Sequence, residues 1–153
     1  MMTRDAMFQL ATALAEKHHL DPALVKAVCH WESKNWNPWA MRYEPEFYDT
    51  YISPMKGIGA TEMRARATSY GLMQVMGETA RELGFKGEFL TELCDPQVGI
   101  EWGCVDLARE MDRANGNVRQ ALLGYNGGSD KSYPDKVLGL MFRYQLPASP
   151  HIS

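Results

Sequence analysis

Among the carboxylates of this 153-residue chain, Glu32 has the setting that an acid catalyst requires. It follows Val25, Val28 and Cys29 at helical spacing, so a helix through this stretch places its carboxyl on the apolar face, close to the helix C-terminus. Desolvation and the negative end of the helix dipole both disfavour the ionised form there, and a carboxyl still protonated near neutral pH can donate to a leaving-group oxygen. Pattern alone leaves two plainer readings open: a Glu neutralised by an Arg or Lys, or a solvated Glu at a fraying helix end.

Gln74, Tyr125 and Asn126 offer amide and hydroxyl groups of the kind that meet the hydroxyl and acetamido groups of a sugar, and Trp36 and Trp39 offer flat apolar faces. The two tryptophans read equally well as groove lining or as core. Gly71, Gly127 and Gly128 read as turn residues.

The elements that must position these groups are mostly helical, because helix punctuation recurs along the chain while long alternating runs of β-branched residues are missing. The expected helices run from about Arg4 to His18, from Pro22 to about Ser33 after the Asp21-Pro22 start signal, and from Glu44-Pro45 to about Ile52. Others cover about Thr61 to Ala67, Gly77 to Leu83 with a stop at Gly84, Asp95-Pro96 to about Ala114, Asn117 to about Leu123, and Pro134 to Tyr144.

With 45% hydrophobic residues the chain supports one core, and residues 1–153 are expected to form a single domain. The net charge of −3 and the scattered Lys and Arg lack the footprint of a nucleic-acid binder. No apolar run is long enough to insert in a membrane, and Met1–Leu20 has neither a continuous apolar region nor a cleavage site, so synthesis in the cytoplasm without an export signal is expected. Cys29, Cys94 and Cys104 show no metal-ligand spacing, so neither a metal nor a cofactor is expected; a Cys94–Cys104 bridge stays open.

Three blocks carry a family resemblance: Glu32-Ser33 with Asn37-Pro38-Trp39-Ala40; Gly71-Leu72-Met73-Gln74 with Met76-Gly77-Glu78-Thr79-Ala80; and Ala121-Leu122-Leu123-Gly124-Tyr125-Asn126-Gly127-Gly128. Together they span about residues 20 to 145 and resemble the soluble lytic transglycosylase (SLT) domain, a relative of goose-type lysozyme. The resemblance implies a mainly α, lysozyme-like fold with a groove for peptidoglycan glycan strands; a monomer acting on the cell wall is expected, and the missing export signal points to a phage lysin or a virion-associated protein as the setting. It implies Glu32 as catalytic acid and base, and Ser33, Gln74, Met76, Tyr125 and Asn126 as substrate-binding residues, with the Tyr125 hydroxyl able to hold the catalytic carboxyl.

The implied reaction is cleavage of the MurNAc–GlcNAc β-1,4 bond with formation of 1,6-anhydromuramic acid. Goose-type lysozymes carry a water-positioning Asp two residues after the Gly-Leu-Met-Gln block, where this chain has Met76, which favours transglycosylation over hydrolysis. Two departures from the family stand out. The distance from Glu32 to Gln74 exceeds the usual spacing, which implies an insertion at about 44–68, and its Glu44 and Glu62 are the candidates for a second carboxylate that would restore a hydrolytic muramidase. Gly77 stands where the family usually has Pro. A catalytically idle wall-binding or structural module is the reading from a different functional class.

Overall fold

The structure is a computed structural model describing residues 1–145. It is mainly helical, as expected, and most helices start where local chemistry satisfies free backbone N–H groups. The Thr3 side chain caps α1 (Arg4–Lys17), Asp21 caps α2 (Pro22–Glu32), and both are followed by a good first turn. Asp95 accepts from Gln97 and Val98 at the start of α6 (Pro96–Arg113), and Asn117 caps α7 (Val118–Tyr125). The last helix, α8 (Tyr133–Gln145), begins one residue before the expected Pro134.

Helix α2 lies at the centre, packed most extensively against α8 and also against α1. Its Val25, Val28 and Cys29 are fully buried, and the apolar core continues through Leu72, Met73, Ile100, Cys104, Leu107, Leu122 and Val137. All three cysteines are buried and free, so Cys94 and Cys104 pack as small apolar residues and form no bridge.

Sequence patterning gave no sign of a sheet, yet three short strands pair antiparallel in the order β1 (Met41–Tyr43), β2 (Thr68–Tyr70), β3 (Val75–Met76). Strands of two or three residues are too short to show alternation. Their register places Arg42 opposite Ser69 and Ser69 opposite Met76, so these three residues form one row across the sheet.

Between β1 and β2, residues 44–67 build a flap. It contains α3 (Pro45–Phe47), a π turn (Tyr48–Ile52) and α4 (Ala60–Arg66). The Arg64 guanidinium lies 3.8 Å from the Tyr48 ring centre and hydrogen-bonds the Tyr43 hydroxyl, tying α4 to the π turn and to β1. On its other side α4 is latched to α5 (Gly77–Leu83): Glu62 pairs with Arg66 at 3.1 Å and Arg81 at 2.7 Å, and Arg66 reaches Glu78 at 3.3 Å. The approach is close enough that a Cβ on Gly77 would sit 2.4 Å from the Ala65 carbonyl oxygen. The glycine found in place of the family's proline is therefore a packing requirement of the flap.

Candidate active site around Glu32

Glu32 is the last residue of α2, one residue earlier than the expected helix end. The helix stops because Ser33, fully buried, turns its hydroxyl back to the Cys29 carbonyl at 2.5 Å and accepts the Trp36 backbone N–H at 2.9 Å. Lys34, Asn35 and Trp36 then run left-handed at φ 51°, 69° and 69°. Trp36 anchors this turn inside the core: its indole N–H donates to the Tyr144 hydroxyl at 2.9 Å and its ring packs 4.5 Å from Phe8. The chain thus leaves the helix abruptly, with Glu32 at the floor of a cleft.

There the carboxylate oxygen Oε1 accepts a 2.6 Å hydrogen bond from the Tyr133 hydroxyl at the start of α8. Burial pushes the Glu32 carboxyl up to about 7, a rise that the Tyr133 hydrogen bond and the Arg42 charge restrain. A carboxyl in this range is half protonated at neutral pH and can both give and take a proton.

Four cavities converge on Glu32 and Arg42. One, of about 330 Å³, is lined by Gln74, Met76, Asn126, Tyr125 and Glu44 and reaches Asp106, Arg109 and Glu110 on α6. Gln74 holds a left-handed backbone at φ 48°, and its amide nitrogen donates to the carbonyls of Ala40 (2.9 Å) and Gly71 (3.0 Å). Two carbonyl partners require the NH₂ end, which leaves Oε1 as the end available to a ligand. The buried Asn126 Nδ2 has no partner among the described residues.

The structure thus brings Glu32, Gln74, Met76, Asn126 and Glu44 to one cleft and revises other expectations. Tyr125 lines the same cavity, but its hydroxyl donates to the Met73 carbonyl at 2.5 Å, so Tyr133 and not Tyr125 holds the Glu32 carboxyl. Ser33 reaches the cleft wall, yet both bonds of its hydroxyl are used in ending α2, which leaves no free donor for a sugar. Glu62 lies outside these cavities, committed to Arg66 and Arg81; desolvation raises its pKa, and the two arginines outweigh that and hold it below the usual range. Glu44 pairs with Arg42 at 2.8 Å. Of the two tryptophans, Trp36 is core, whereas Trp39 is 64% exposed and lines a cavity with Glu32 and Gln74.

Sequence reading missed Tyr133, Arg42 and the α6 cluster. In that cluster Arg109 bonds Asp106 at 2.6 Å and Arg113 bonds Glu110 at 3.0 Å, while Gly124 leaves room for the Glu110 carboxylate. Burial pushes Asp106 up to about 6, with Arg109 lowering it and Glu110 raising it. A signal existed for Glu110, which continues the apolar stripe of Ile100 and Leu107 at helical spacing, the kind of sign that singled out Glu32. Among the described residues no group of three or more His, Cys, Asp or Glu side chains is placed to hold a metal ion.

Comparison with known proteins gives the family. Residues 9–135 match the family described as the transglycosylase SLT domain. The chain is 34% identical over 134 residues to a protein named transglycosylase from Enterobacteria phage PRD1, a match covering 82% of this chain and 39% of the phage protein. The chain therefore spans about two fifths of the length of that relative. No solved structure gives a significant match. The family match takes in the helix that carries Glu32, the sheet, the long α6 and the Tyr125-Asn126 turn, and on that extent the chain belongs to the transglycosylase SLT domain family.

Proposed function

We propose that this chain is a peptidoglycan lytic transglycosylase, cleaving the β-1,4 bond between MurNAc and GlcNAc with Glu32 as general acid and then general base. The observation that carries the reading is the Glu32 carboxyl: buried at the end of α2, held by Tyr133, pushed up to about 7 and open to a polar cleft. In the first step Glu32 gives its proton to the glycosidic oxygen as the C1–O4 bond breaks, and the substrate's own acetamido oxygen stabilises C1. In the second, the Glu32 carboxylate takes the proton of the muramic O6 hydroxyl as O6 bonds C1, closing the 1,6-anhydro ring and restoring the acid. Gln74 Oε1 supplies an acceptor suited to the N–H of a sugar acetamido group. The SLT family match and the phage relative support a wall substrate and a phage lysin or virion-associated setting for one lysozyme-like domain with an insertion at about 44–68.

One observation favours a second reading. Glu44 lines the same cavity as Glu32, and a carboxylate there could activate water and make the chain a hydrolytic muramidase. Mass spectrometry of digested purified sacculi separates the two. Anhydromuramic products without new reducing ends, lost in Glu32→Gln, are expected; reducing ends in stoichiometric yield, abolished by Glu44→Gln, would establish the hydrolase. Absence of any product would leave a non-catalytic wall-binding module.

A further inference from the structure

The cavities that meet at Glu32 differ sharply in charge. Two of them contain further carboxylates: Glu44, Asp106 and Glu110 in one, Glu44, Glu46 and Asp130 in another. In the other two, of about 590 and 520 Å³, Glu32 is the only acid, and both are lined by Lys34 and Arg42. For a chain of net charge −3 this is a local reversal.

Of the two cations, Lys34 has no acidic partner among the described residues and Arg42 is engaged through one nitrogen. Lys34 is exposed and makes no ion pair or hydrogen bond among the described residues. Arg42 uses only its Nε, on Glu44 at 2.8 Å, and its two Nη groups have no partner among the described residues. The backbone around Lys34 is also costly. Three consecutive non-glycine residues, Lys34, Asn35 and Trp36, hold positive φ, each a conformation that persists only where its surroundings over-determine it. They are over-determined here: the Asn35 N–H donates to the His30 carbonyl at 2.8 Å, Arg4 donates to the Asn35 carbonyl at 3.2 Å, and Ser33 and Trp36 are locked as described. The backbone that carries Lys34 is thus held in place, and its exposed side chain lines the same two cavities as Arg42.

We infer that Lys34 and Arg42 form a carboxylate subsite that binds the stem peptide of the glycan strand. This rests on the peptidoglycan reading above. The muramic sugar whose C1 is released carries its peptide on O3, so carboxylates of that peptide travel next to the scissile bond. A rigid guanidinium fork and a flexible ammonium are the groups that recognise them. The subsite makes the chain prefer peptide-bearing strands over bare ones.

The test is a comparison of kcat/KM on three substrates: whole sacculi, sacculi stripped of stem peptides by an amidase, and sacculi that keep their peptides but lack phosphodiester polymers. The wild-type chain should favour peptide-bearing over bare glycan, and that ratio should fall about threefold in Lys34→Gln and about tenfold in the Lys34→Gln, Arg42→Gln double variant, with Lys34→Arg restoring the single loss. Sedimentation of the uncleaving Glu32→Gln chain with the same sacculi should show the same ratio in binding. Equal losses on peptide-bearing and bare glycan would overturn the subsite, as would a preference that disappears with the phosphodiester polymers and not with the peptide. If the wild-type chain cleaves none of the three while folding normally, the glycan reading fails and the subsite falls with it.

Discussion

The Tyr133 hydroxyl and the Glu32 carboxylate, 101 residues apart in sequence, meet at 2.6 Å and join the end of α2 to the start of α8. A phenol aimed at one carboxyl oxygen fixes the rotamer of the acid and stabilises its charged form.

Tyr133→Phe should therefore raise the Glu32 pKa above about 7, since the bond it removes lowers that pKa. The alkaline limb of the pH profile of kcat/KM moves to higher pH, while the maximal rate drops by about tenfold through lost orientation. A profile recorded from pH 5 to 9 checks both effects, and an unmoved alkaline limb would contradict the assignment of that limb to Glu32.

Glu32 also links stability to pH. Its folded pKa, about 7, lies above the ordinary carboxylate value, so the folded state holds the proton more tightly than the unfolded chain does. The contribution is complete below about pH 4, declines as pH rises and is gone above the folded pKa. Glu32→Gln should match the wild type in urea denaturation at pH 4 and exceed it at pH 8, by up to about 3 kcal/mol.

Gly77→Ala forces a methyl group toward the Ala65 carbonyl and the Arg66 backbone, at 2.4 and 2.9 Å. Overpacking between two backbones should cost about 1–3 kcal/mol. Denaturant midpoints at unchanged slope would register it; a neutral result would mean that the flap shifts freely on α5.

Glu62 separates latch from chemistry. Glu62→Gln removes the ionic contacts to Arg66 and Arg81 and should lower stability by about 1 kcal/mol at pH 7. Because its folded pKa is depressed, the stabilisation is present above the ordinary carboxylate pKa and is lost as pH falls through the folded one, so variant and wild type converge in acid. Product type should be the same as in the wild type, in contrast to Glu44→Gln if Glu44 activates water.

The parts of this molecule readable in its sequence are those decided locally. The Asp21-Pro22 and Asp95-Pro96 starts mark α2 and α6 because capping depends on neighbouring residues, and the stripe ending at Glu32 shows because burial imposes a helical period. What stayed hidden depends on distant pairing. Tyr133 sits at an ordinary helix start, and nothing nearby reveals that its hydroxyl faces a residue of α2. The three-stranded sheet is equally silent, because strands of two or three residues carry too few positions to show a period, and β1 meets β2 only when the flap folds back. Tyr125 illustrates the opposite failing: the right residue in the right cavity, with its hydroxyl turned to a main-chain carbonyl.

The pairing of β1 with β2 closes the base of the flap, with Tyr43 opposite Thr68 and the Glu44 N–H donating to the Ala67 carbonyl at 2.9 Å. Whatever lies between those two points, the chain returns in register, and Arg42, Ser69 and Met76 keep their row beside Glu32. The flap thus springs from a fixed base: the sheet sets where its first residues, Glu44 to Tyr51, meet the cavities around Glu32, so a change of length farther along the flap leaves that meeting point in place.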